Sequence, residues 1–149
     1  MILDELTEFC DATALNTGAA GTYNIGDIID LSVTAPEVGN GQVVYLVVQV
    51  TTAVTSAGAA TVQFQLVSDA TSTISTSTQT IHFISMAIPK ATLVAGYTAI
   101  FPIAVGSPAY ERFIGVQQVT GTAALTAGAV NAFLTLDPSR WIAAADASN

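Results

Sequence analysis

Charge is what this chain has least of. Of its 149 residues only 9% are charged, and Lys90, Arg112 and Arg140 stand against eleven acids, for a formal charge of −8. Nucleic-acid binding displaces phosphate counterions with Lys and Arg, and three scattered cations exclude it. An anionic membrane surface is excluded for the same reason. Cys10 is the lone cysteine, so an internal disulfide is impossible. Long apolar runs are missing too. The longest, Val43 to Val50, is far short of the ~20 residues that a spanning helix needs. The opening Met1-Ile2-Leu3-Asp4-Glu5 is acidic where a secretion signal is basic, so folding in a cytoplasm is expected.

What the chain has is apolar side chains, at 51% of residues, enough for one domain with its own core. Residues 1–26 read as an N-terminal arm. Asp4, Glu5, Glu8 and Asp11 cluster there, Leu3, Leu6 and Cys10 recur at the spacing of one helical turn, and Asn16 to Gly26 has no period. Residues 27–138 read as the domain. Ile29, Leu31 and Val33 alternate with polar residues, as in a half-buried strand. Asn40-Gly41 favours a tight turn. Val43 to Val50 is β-rich and apolar on both faces, so its strand is central or has a covered outer face. Val62, Phe64 and Leu66 alternate with glutamines, and residues 69–80 are a Ser/Thr tract expected as an exposed loop or edge hairpin. Ile81 to Ile84, Met86 to Ile88, Ile100 to Val105, Phe113 to Val119 and Val130 to Leu136 complete the strands, with Pro102 marking an edge. Residues 139–149 are a tail headed by Trp141. About eight short antiparallel strands without a long helix predict an all-β jelly roll or β-sandwich.

Chemical constellations are thin. His82 is the only histidine. A Ser–His–Asp set can be written from His82, Asp69 and a nearby serine, but without a nucleophile-elbow Gly-x-Ser-x-Gly it rests on abundant serines alone. One histidine and one cysteine cannot build a zinc site. Asp27 and Asp30 would supply two oxygens where calcium takes six to eight. Gly39-Asn40-Gly41 has no following helix to make a dinucleotide loop. Cys10, among acids, is a poor thiolate. Tyr23, Tyr97, Tyr110 and Trp141 are candidate sugar platforms, and spacing alone does not choose between sugar, partner and packing. No catalytic residue, cofactor or metal is expected.

Two stretches resemble a known family. Phe9-Cys10-Asp11-Ala12, small residues, then Ile29-Asp30-Leu31 resembles the opening of jelly-roll cement proteins of tailed, podovirus-like phage heads, where Phe-Ser-Asp-Ala and Ile-Asp-Leu are usual. Arg112-Phe113-Ile114-Gly115-Val116, with Val119-Thr120-Gly121-Thr122, Ala127-Gly128 and Ala132-Phe133-Leu134-Thr135-Leu136, resembles the family's last two strands. Cys10 replaces the usual serine, and Tyr23 to Asp27 look inserted. The resemblance implies a non-enzymatic structural virion protein. It would sit on the outer capsid surface and clamp neighbouring major capsid proteins, itself a homodimer or homotrimer. The alternative is a carbohydrate- or host-receptor-binding module of a virion. The candidate contact residues are Val43, Tyr45 and Val47 on one face of the apolar strand, with Phe9 and Arg112 from the resembling stretches. That face is either an interface or the middle of a well-covered sheet.

Overall fold

The computed structural model describes residues 7–33, 36–103 and 108–138. Among these there is no α-helix, and the chain runs through nine strands: β1 (Glu8–Ala14), β2 (Gly21–Asp30), β3 (Val44–Thr55), β4 (Thr61–Asp69), β5 (Thr80–Ile84), β6 (Ile88–Pro89), β7 (Thr98–Ile103), β8 (Phe113–Gly121) and β9 (Ala127–Thr135). Sheet A has the order β1-β9-β3-β7, and sheet B the order β2-β8-β4-β5, with β6 also on β4. The antiparallel pairs β1·β9, β2·β8, β3·β7 and β4·β5 are nested, as in one long hairpin folded over itself. Rolled into two sheets, that hairpin is a jelly roll.

Period-two patterning determines what meets in the middle. Leu46, Val48 and Val50 of β3 and Val130, Ala132 and Leu134 of β9 project inward from sheet A. Val62, Phe64 and Leu66 of β4 and Ile114 and Val116 of β8 meet them from sheet B. Burying an aliphatic or aromatic side chain of this size contributes about 1.5–3 kcal/mol each, and this is the main stabilising force. Buried Gln118 also points inward, but its amide is satisfied. It accepts from the Asn16 N–H at 2.8 Å and donates to the Asn16 carbonyl at 2.9 Å and to Thr120 Oγ1 at 2.6 Å. That pairing fastens the β1–β2 connection to β8.

Strand structure begins well before Asp27. The expected arm boundary falls inside β2, and residues 8–14 are an edge strand hydrogen-bonded to β9. The physical reason is that Thr, Ala and Gly residues with no amphipathic period can still be held by a neighbour's backbone, which supplies the pairing that their side chains do not announce. Cys10 is therefore a strand residue and not part of a helical turn. Leu3, Leu6 and the tail from 139, with Arg140 and Trp141, lie outside the described residues.

Two irregularities shape the β1/β2 edge. Between Ile25 and Ile29, β2 bulges away from its register with β8, close to where the sequence looks inserted. Gly26 in the bulge has φ +67°, and a Cβ there would sit 2.1 Å from the Phe9 carbonyl oxygen. Only glycine allows β2 to lean so closely on β1. The expected Asn40-Gly41 turn is present: both residues have positive φ, and the Gln42 N–H donates to the Gly39 carbonyl.

Candidate interaction surfaces

The fold separates the five candidate contact residues. Phe9 has no exposed surface and belongs to the core, so it cannot meet a partner directly. Val47 also has none, although alternation with Leu46 and Val48 places it on the outer face of sheet A, where Gln49 and Phe133 are buried as well. Of the expected Val43–Tyr45–Val47 face, Tyr45 is half-buried and Val43, 47% exposed, lies just before β3 begins. The three are not one open apolar surface.

Arg112 is exposed and engaged. Its guanidinium donates to both carboxylate oxygens of Asp30, at 2.7 and 2.8 Å, and lies over the Phe113 ring at 5.1 Å. The guanidinium, helped by the Ser32 N–H, holds the Asp30 carboxyl down to about 2. Asp30 is thereby an ion-pair partner and not half of a calcium pair, and no cluster of metal-binding side chains occurs among the described residues. Asp27 and Asp30 line a cleft of about 440 Å³ with Glu8, Phe9, Cys10, Asp11, Ile28 and Ile29, where the edges of the two sheets meet. The Cys10 thiol at its floor donates to the Val130 carbonyl, and burial pushes its pKa up to about 12.

His82 does find a serine. A bulge in β5 places it next to Ser68 of β4, with Nε2 2.7 Å from Ser68 Oγ. Tyr110 stacks on the imidazole, centroids 3.7 Å apart and planes 12° from parallel. Burial lowers the histidine's affinity for a proton; the Glu111 carboxylate and the Pro108 carbonyl oppose this. Asp69 does not complete a triad, because its carboxylate accepts from Thr71, Ser75 and Thr78 instead. Ser68 has no exposed surface and already accepts from the Glu111 N–H. A nucleophile must reach its substrate. The group holds β5 and the approach to β8 together. The choice of Ser68 over other serines came from register, which composition does not reveal.

Tyr110, buried in this stack, cannot be a sugar platform, and half-buried Tyr97 packs against the core. The Tyr23 hydroxyl, on β2, donates to the Ala19 carbonyl of the β1–β2 connection. Trp141 lies outside the described residues.

Among the described residues, Val33, Val43, Val94 and Leu136 are exposed in separate parts of the chain, and four other large apolar side chains are exposed on or beside β5 and β7. On the β5/β7 edge, Ile81 and Ile84 are exposed on one side, Ile100 on the other, and Met86 is 84% exposed where β5 breaks before β6. From Ala70 to Pro89 there is no charged residue. Sequence alone marked these strands as short but did not show which of their apolar side chains stay exposed.

No curated protein matches the chain. A family model described as Bbp16 matches residues 9–134, from the first residues of β1 almost to the end of β9. With the match covering the whole sandwich, the chain belongs to the Bbp16 family.

Proposed function

We propose that this chain is a non-catalytic structural protein of a phage virion, a cement protein that binds the outer capsid surface and clamps neighbouring major capsid proteins. The observation that carries the reading is how the two family-resembling stretches sit together. On β1, Glu8 and Cys10 are paired with Phe133 and Ala132, and Ile29-Asp30 is paired with Phe113-Ile114. The Asp30–Arg112 ion pair joins the stretches at one end. Residues eighty and more positions apart thus form one structural unit, which supports treating the resemblance as a single shared feature and not two chance matches. The rest of the molecule suits the role: a rigid β scaffold, acidic charge that keeps it away from packaged nucleic acid, and exposed apolar side chains on and beside β5 and β7 able to contact protein. Those side chains replace the Val43–Tyr45–Val47 face as the proposed contact with the capsid or with a second copy.

A ligand that binds only the assembled shell stabilises it by mass action, by about 2.7 kcal/mol per site at a hundredfold excess over Kd. Saturating protein is expected to raise the heat- or osmotic-rupture threshold of heads lacking it, and Ile84→Glu with Met86→Glu to abolish binding while the fold persists. An unchanged threshold at full occupancy overturns the reading.

A further inference from the structure

The Ser/Thr tract is not a free loop. Residues 70–79 fold back over the outer face of sheet B. There Ile74, buried, packs against Gly115 of β8 so closely that a Cβ on the glycine would sit 2.8 Å from Ile74 Cδ1. Asn24 of β2 donates to the Ile74 carbonyl, and the buried amide of Gln117 donates to Gln79 Oε1 and Asn24 Oδ1. Val67, on the same outer face, has no exposed surface. A polar strap thus closes a face that would otherwise be open.

One side chain organises the strap. The Asp69 carboxylate, buried at the end of β4, takes the N–H and hydroxyl of Thr71 on Oδ1, and the Ser75 N–H and Thr78 hydroxyl on Oδ2, at 2.6–3.3 Å. Bonds to an ionised acceptor are roughly twice as strong as neutral ones, and here they hold nearly the whole length of the strap. Ile74 is its only large apolar anchor, and it carries no charge of its own. We propose that residues 70–79 form a strap stapled by Asp69 that opens in acid as one unit, uncovering the outer face of sheet B while the sandwich stays folded. This does not depend on what the chain binds.

The direction follows from linkage. Donors from Thr78, Thr71 and Ser75 outweigh the opposing effect of burial and hold Asp69 below the ordinary carboxylate value; no charged group contributes. Across the β4 end, Arg112 beside Phe113 is committed to Asp30, Glu111 accepts from Thr80, and His82 is bonded to Ser68. The staple is fully present above the unfolded carboxylate pKa of about 4 and is lost as pH falls through the lower folded value.

The test is hydrogen exchange of the full chain at neutral pH, comparing wild type with Asp69→Asn, which like the protonated acid keeps one acceptor oxygen. The amides of Thr71, Ser75, Thr78 and Gln79 are expected to exchange about tenfold faster or more, with β4 and β8 protection unchanged, as in a local opening. Unchanged strap amides overturn the proposal, and so does equal acceleration of strap and sheets, which would make Asp69 a determinant of global stability only. If Asp69→Asn does not fold, Thr78→Val takes its place. Faster exchange confined to the strap supports the unit, and protection equal to wild type overturns it.

Discussion

The two rims of the sandwich are closed by different chemistry. At the β5/β7 rim, Phe83 of sheet B meets Phe101 of sheet A with centroids 4.9 Å apart, and Tyr110 stacks on His82 nearby. At the β1/β2 rim no aromatic pair bridges the sheets among the described residues. Instead Gly26 lets backbone lie on backbone over the buried Phe9, and the groove beside it carries Glu8, Asp11, Asp27 and Asp30. The aromatic rim can leave apolar side chains exposed because ring contacts already hold it shut. The acidic rim discourages strand addition by its bulges and charge. One edge leaves apolar side chains exposed and the other is lined with acids, and they answer differently to mutation and to pH.

Truncating the residue under the acidic rim gives the largest effect. Phe9→Ala removes a fully buried ring and is expected to cost about 4 kcal/mol, measured by urea denaturation. A loss below about 1 kcal/mol would mean that the β1/β2 rim contributes little to closure. At the other rim Tyr110→Ala is expected to cost about 3 kcal/mol. Tyr110→Phe should be neutral or slightly stabilising, because the buried hydroxyl has no partner among the described residues. A marked loss from Tyr110→Phe would reveal a hydrogen bond that the present geometry does not contain.

Acid should separate the rims without any mutation. His82 binds a proton less readily folded than unfolded. Its contribution is full above the unfolded value of about 6.5 and fades as pH falls through the lower folded value. Asp30, held down to about 2 by Arg112, contributes fully above the unfolded carboxylate value of about 4 and loses that contribution as pH falls from there through the folded value. The His82 resonances should thus respond in mild acid while those of Asp30 titrate near 2, and Arg112→Ala should return Asp30 to the ordinary range. Joint titration of the two would show that the rims are not independent. The smallest effect is at the cleft floor. Cys10, with its thiol pushed up to about 12, should resist alkylation at pH 8 in the native state and react on unfolding. Rapid native labelling would mean that β1 opens locally.

Much of the architecture was legible because alternation of apolar residues is a local property. Val62-Phe64-Leu66, Ile114-Val116 and Val130-Ala132-Leu134 disclose their buried faces wherever their strands pair, and the Gly/Asn turn residues mark the breaks between them. The bias toward acids and the shortage of histidine and cysteine likewise narrow the chemistry without coordinates. Pairing is different, because it joins residues far apart in the chain. β1 and the first half of β2 owe their structure to β9 and β8 and not to their own composition, so residues 8–26 read as an arm. Whether Val47 was exposed, which serine met His82, and that Asp69 would pin a polar tract over sheet B were all settled by register and by what folds across a face. Those are properties of neighbours in space, and periodicity within one segment carries no record of them.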